Sequence, residues 1–193
     1  MKEVIMLRIF CLKNSACLST EAILPLALER CGIGGEVRIE RGQWGKPRLV
    51  SHDGVYFNLS HSGEYTVIAL SDSELGCDIQ QIKPVNLKLA KRYFHPEESG
   101  NIENCESKQE LFFRYWCAKE SFIKATGKGF SRPLGTFYIR LAIGEGTGYG
   151  DVFEEDGTST PWRIVESGGI EGYRIAVCTQ TPRPIAIERL SIR

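Results

Sequence analysis

The sequence predicts an α+β fold, with antiparallel sheets and packed helices. Three observations lead there. Short strand-like runs separated by glycine-rich turns fill the region after Pro133. One long stretch, Glu106–Thr126, carries apolar residues at helical spacing. Strands and helices do not alternate in the regular βαβ order that a parallel sheet requires.

Along the chain, Val4–Leu12 is rich in Val, Ile, Leu and Phe and predicts a buried strand. Ser19 and Thr20 offer a helix N-cap, with Glu21 in the first turn. That helix runs toward Cys31, with Pro25 expected near its first turns and Gly32, Gly34 and Gly35 ending it. Val37–Glu40 reads as a short strand and Gly42–Pro47 as a loop. Val55–Ser60 and Tyr65–Ser71 predict two strands joined by His61-Ser62-Gly63-Glu64, and Leu75–Gln80 a third. After Pro84, Asn86 can cap a helix reaching Phe94, and His95-Pro96-Glu97-Glu98 forms a second cap with Pro at the first helical position. In Glu106–Thr126 the apolar face is Leu111, Phe112, Tyr115, Phe122 and Ile123, and Gly127 and Gly129 stop the helix. Strands follow at Phe137–Ile143, Gly150–Glu154, Trp162–Glu166, Tyr173–Thr179 and Ile185–Leu190.

With 193 residues, 42% apolar and 25% charged, the chain can bury a core without disulfide staples. Its 24 basic and 24 acidic residues cancel, so no global field draws it to nucleic acid. The cysteine count is odd, at seven, and no CxxC pair occurs, which argues for buried thiols in a reducing compartment over a zinc knuckle. No apolar run approaches the ~20 residues of a membrane span, and Val4–Leu12 lacks a cleavage site. The expectation is a cytoplasmic protein that engages neither membrane nor nucleic acid.

Four segments can carry chemistry. In Gly76-Cys77-Asp78-Ile79-Gln80, a strand puts Asp78 and Gln80 on one face and Cys77 and Ile79 on the other. A carboxylate and an amide oxygen side by side suit Mg²⁺, and equally suit a wetted strand face. On a helix, Trp116, Glu120 and Lys124 are i,i+4 neighbours, a reactive stripe or a plain surface ion pair. Asn58-Leu59-Ser60-His61-Ser62 offers groups that can hold a phosphate, or only a polar hairpin. A nucleophilic Ser/His pair fits less well, because neighbours on an extended chain point apart. Gly45-Lys46-Pro47 lacks the pattern of a phosphate-cradling Walker loop, although Lys46 can still reach a phosphate.

Taken in order, GKP, FNLSHS, GCDIQ and WCAKESFIKATGKG closely resemble the surfactin-type 4′-phosphopantetheinyl transferases over about Gly45–Leu141. The resemblance implies two similar halves in pseudo-twofold arrangement, here residues 1–98 and 99–193, with coenzyme A in the cleft between them. It implies transfer of phosphopantetheine from coenzyme A to a serine of an apo acyl or peptidyl carrier protein, with Mg²⁺, by a monomer that releases 3′,5′-ADP. Asp78, Gln80 and Glu120 are the implied metal ligands, and Lys46, Ser60, His61 and Lys124 the implied coenzyme contacts. Glu120 is the implied base for the serine, Lys124 stabilises the transferring phosphoryl group, and Lys119 matches the motif without an assigned role. Phe94, Phe130 and Lys128–Arg132 are candidates for the carrier surface.

Two departures stand out. Gln80 occupies a position where the family usually has Glu, which removes a charge from the metal site. Only 44 residues precede Gly45, fewer than in the family, so Arg38, Arg41 and Arg48 become candidates to replace its basic coenzyme clamp. Both departures also fit a second reading, a homologue that binds coenzyme A or a carrier protein without chemistry.

Overall fold

The structure is a computed structural model that describes residues 7–13, 19–127, 129, 132–142, 148–182 and 186–190. The first sheet contains β1 (Arg8–Lys13), β4 (Tyr56–Ser62), β5 (Tyr65–Ser71) and β11 (Ala186–Arg189), in the order β11-β1-β5-β4. The second is an antiparallel meander plus one strand from far upstream: β6 (Leu75–Gln81), β10 (Tyr173–Thr179), β9 (Ser159–Ser167), β8 (Tyr149–Glu154) and β7 (Phe137–Leu141), in that order. A separate ribbon joins β2 (Ile39–Arg41) to β3 (Pro47–Leu49). The helices are α1 (Thr20–Arg30), α2 (Lys88–Tyr93), α3 (Pro96–Asn104) and α4 (Lys108–Thr126).

Side-chain alternation builds four layers. On β1, Ile9 and Cys11 enter a core with Val67 and Ala69 of β5 and with Leu75, Cys77 and Ile79 of β6. Phe10 and Leu12 point the other way and pack with Ile23, Leu24, Ala27 and Leu28 of α1. On β10, Ile175 and Val177 join the core between the sheets, while Ala176 and Cys178 meet Ala118, Phe122 and Ile123 of α4. The order is therefore α1, first sheet, second sheet, α4. On the outer side of α4, Phe112 and Phe113 pack with Ala90 of α2, Phe94 just after it and Ile102 of α3.

The helix starts follow their sequence signals. Ser19 accepts from Ala22 N and caps α1, and His95 caps α3 in a box closed by Glu98, whose side chain takes the His95 N–H. Gly127, at φ 66°, ends α4 in the left-handed conformation. Pro25 lies deeper in α1 than its first turn. The predicted Gly42–Pro47 loop is shorter than expected, because Pro47 opens β3 and pairs with Arg41. The β4–β5 connection is also tighter: His61 and Ser62 belong to β4, and the turn is Gly63-Glu64. One pairing departs from the antiparallel expectation, since β11 runs parallel to β1. β6 and β11 each cross to the sheet formed mainly by the other part of the chain. Of the predicted strands, Val4–Met6, Ile143 and Ile185 lie outside the described residues, as do Cys17, Lys128, Phe130 and Ser131.

The described cysteines are all free, and Cys11, Cys77, Cys117 and Cys178 are buried. Burial pushes the Cys11 thiol up to about 11 and the Cys178 thiol well above its ordinary value. Among the described residues no helix is long and apolar enough to cross a membrane.

Candidate active site

The site forms where β6 lies against α4, and glycine makes that approach possible. A Cβ at Gly76 would stand 2.1 Å from Ser121 O and 2.3 Å from Ala125 N, so only a residue without a side chain allows this contact. Two residues on, Asp78 shares the face of Gly76 and looks toward α4, which presents Glu120 and Lys124 one turn apart. On the opposite face of β6, Leu75, Cys77 and Ile79 are fully buried between the sheets.

The first sheet closes the site from the side. β4 is its edge strand, and its side chains satisfy the backbone of β6. Asn58 Oδ1 accepts from Cys77 N at 2.8 Å, and Ser62 Oγ accepts from Gln81 N at 3.0 Å. Between them, Ser60 donates to Asp78 Oδ1 at 2.7 Å. The turn beyond is held by Tyr173, whose hydroxyl accepts from Glu64 N at 3.2 Å.

Lys124 is the central cation. Its ammonium donates to Asp78 Oδ1 at 2.6 Å, Ser60 Oγ at 2.8 Å and Cys77 O at 3.2 Å. Burial opposes this charge, but Asp78, Cys77 and Glu120 outweigh it and raise the lysine above its ordinary pKa. Gln80 donates its amide to Asp78 Oδ2 at 2.8 Å, so it meets Asp78 as a donor rather than as a neighbouring oxygen ligand. Glu120 makes no hydrogen bond or ion pair among the described residues. Burial first, and then the Asp78 carboxylate, raise its pKa against the pull of Lys124.

A dication would meet an oxygen-only donor set here. A carboxylate has about four acceptor positions, and Asp78 uses three, for Ser60, Lys124 and Gln80. Among the described residues one remains, beside a Glu120 carboxylate with all of its own. Two carboxylates facing each other with a single ammonium leave room for further positive charge, and hard oxygens suit Mg²⁺. The set is two carboxylates and an amide, and no three of His, Cys, Asp and Glu gather here or anywhere else among the described residues.

The sequence-predicted residues divide into two groups. Asp78, Gln80, Glu120, Lys124 and Ser60 come together. His61, next to Ser60 on the strand, projects to the other face of β4 and is exposed. Lys46 is near, but its ammonium points inward to Glu74 Oε2 at 2.8 Å and to Leu75 O and Ala125 O, each at 3.0 Å. A cavity of about 250 Å³ opens beside Glu120 and Lys124, and Trp44, Pro47, Leu59 and Ile123 also line it. Of the suggested clamp residues, Arg41 and Arg48 line a second cavity of about 420 Å³ across the β2–β3 ribbon, with His52 and Tyr56.

Sequence reasoning left Lys119 without a role, and the structure supplies one. Lys119 and Glu98 are fully buried and paired at 2.7 Å. Lys119 also donates to Leu134 O and Phe137 O, while Glu98 accepts from Ile139 N and His95 N. Burial raises Glu98 and lowers Lys119 to about 8. Yet every partner of the carboxyl is a donor and every partner of the amine an acceptor, which is the arrangement of a charged pair. Glu74 and Tyr173 were also missed, and Asn58 and Ser62, read as groups able to hold a phosphate, instead accept from the backbone of β6. For Glu98 the capping-box position was a usable signal. For the others, the partners are distant in sequence.

The family model of the 4′-phosphopantetheinyl transferase superfamily matches residues 74–178, which contain β6, α4 and all three carboxyl and amide groups of the site. The chain belongs to that superfamily. A 4′-phosphopantetheinyl transferase of Bacillus subtilis is 34% identical over 167 residues, covering 86% of this chain and 71% of the relative. The 4′-phosphopantetheinyl transferase psf-1 of Bacillus pumilus is 36% identical, covering 77% and 62%. This chain thus spans about two thirds of the length of these superfamily relatives. Among solved structures, holo-[acyl-carrier-protein] synthase of Thermotoga maritima overlaps 55% of this chain and 61% of its own, at 19% identity and a TM-score of 0.43, too partial a likeness to bear on the site.

Proposed function

We propose that this superfamily member transfers the 4′-phosphopantetheine arm of coenzyme A to a serine of an apo acyl or peptidyl carrier protein, releasing 3′,5′-ADP. The observation that carries the reading is the seam at Gly76, which sets Asp78 of β6 against Glu120 and Lys124 of α4 with Ser60 at the side. In the reaction the serine oxygen bonds to the β-phosphorus of coenzyme A while the bridging P–O bond to 3′,5′-ADP breaks. Glu120 takes the serine proton, since its carboxylate holds no hydrogen bond or ion pair among the described residues. Lys124 turns part of its charge to the transferring phosphoryl group, where donors fixed in advance lower the barrier. Ser60 holds Lys124 and Asp78 in register, and His61, exposed on the other face of β4, contacts the coenzyme's phosphates from there.

Mg²⁺, held by Asp78 and Glu120 with Gln80 turned to offer its oxygen, would supply charge neutralisation at the pyrophosphate. Gln80 adds no charge to that set, so the metal should bind less tightly than to three carboxylates. The halves 1–98 and 99–193, the monomeric state and a role in secondary metabolism belong to the same proposal.

The test is to incubate the protein with coenzyme A, Mg²⁺ and a panel of apo carrier proteins and to weigh the carriers intact. Gain of one phosphopantetheine, lost on adding EDTA and in Asp78→Ala, is the expected result. No gain on any carrier, with a known transferase active in parallel, overturns the reading.

A further inference from the structure

We infer that Lys46 is a positioning residue: it ties β6 to the last turn of α4 and so sets the distance at which Asp78 faces Glu120 and Lys124. The inference rests on the proposed roles of those three residues, and it assigns Lys46 a task other than direct coenzyme contact.

An ammonium has three donors, and Lys46 has three protein acceptors within 3.0 Å: Glu74 Oε2, Leu75 O and Ala125 O. Its side chain is only 15% exposed. The acceptors lie on the two elements that meet at the seam. Leu75 begins β6, one residue before Gly76 and three before Asp78. Ala125 is in the last turn of α4, one residue after Lys124, and its carbonyl is among those that a helix C-terminus leaves without an intrahelical partner. A cation there also meets the negative end of the helix dipole. The Lys46 stem lies across the helix stop as well, since a Cβ at Gly127 would be 3.5 Å from Lys46 Cδ. The flanking residues fix the lysine: Gly45, at φ 80°, makes the turn, and Pro47 enters β3. Gly76 lets the two backbones touch, and Lys46 holds them together from outside.

The test compares wild type, Lys46→Met and Glu74→Gln as full-length proteins in two measurements: amide hydrogen exchange without ligand, and transfer kinetics with coenzyme A varied. For Lys46→Met, loss of the tie should speed exchange in the last turn of α4 and the start of β6 by about fivefold or more, the size expected for one net hydrogen bond. A seam loosened near the reacting groups should lower kcat about tenfold or more while the KM for coenzyme A stays within about threefold. A direct phosphate contact gives the opposite split, with KM raised, kcat kept and exchange unchanged, and overturns the inference. Faster exchange with unaltered kcat overturns it too.

Should Lys46→Met fail to fold, Glu74→Gln decides. It releases one partner and keeps the ammonium. Positioning predicts lower kcat and faster exchange, whereas a coenzyme contact predicts a lower KM, because the ammonium is freer. If wild type transfers nothing, the proposed function fails, and the exchange arm still reports whether Lys46 ties the seam.

Discussion

Gly76→Ala is the sharpest perturbation of this site, because the added methyl meets backbone rather than a side chain that can turn away. Its Cβ would lie 2.1 Å from Ser121 O, 2.3 Å from Ala125 N and 2.8 Å from Lys124 C. An unstrained carbon-to-oxygen contact is about 3.3 Å, so β6 and α4 must part by roughly 1.2 Å at that point. Overpacking a tight interior costs about 1–3 kcal/mol, and three helix-backbone contacts place this change at the upper end. For a chain of this size, about 3 kcal/mol corresponds to a fall in Tm of roughly 6–12 °C. The separation also acts on the chemistry. Asp78 moves with β6 while Glu120 and Lys124 stay with α4, and the 2.6 Å Lys124–Asp78 pair lengthens. Misplacement by about 1 Å can cost about 10²-fold in rate. Thermal melts by circular dichroism and transfer followed by intact mass give both numbers. A Gly76→Ala protein with wild-type Tm and turnover would refute the claim that the closeness of this seam builds the site.

Glu120→Gln should abolish transfer yet leave Tm within a few degrees, because the carboxylate it replaces holds no hydrogen bond or ion pair among the described residues; melts and carrier mass measured together check this. Lys119→Met should lower stability by about 3–5 kcal/mol in urea melts by stranding Glu98, and Glu98→Gln added to it should recover part of the loss. At alkaline pH a buried thiol keeps its proton when the unfolded chain has lost it. The folded state then binds more protons, and stability falls as pH rises above about 9, by up to about 1.4 kcal/mol per pH unit for each such thiol. Tm followed from pH 8 to 11 should fall less steeply in Cys178→Ala than in wild type.

How much was legible depended on the range of the interaction. The face that Asp78 and Gln80 share followed from strand alternation, and Tyr173–Thr179 and the caps at Ser19 and His95 followed from local chemistry. Local signals had no access to partners far along the chain. That Lys46 is engaged by Ala125, 79 residues away, is visible only once β6 and α4 meet. Gln80 as a donor to Asp78 was hidden for another reason. An amide offers both a donor and an acceptor, and the choice is made by the carboxylate it faces. The separation of Ser60 from His61 followed from the same alternation, although the strand itself continues through Ser62 and not only to Ser60.

The parallel pairing of β1 with β11 bears on how the molecule is made. Arg8 and Glu188, which pair across those strands, are 180 residues apart. Chains emerge from the ribosome at about 5–20 residues per second, so β1 waits on the order of ten to forty seconds for its outer neighbour. In the later part of that interval, once β5 has paired with β1, one flank of the first sheet shows open backbone hydrogen-bonding groups, the kind of edge to which a foreign strand can add. Nascent chains stalled before residue 186 are therefore the species most exposed to aggregation or chaperone capture.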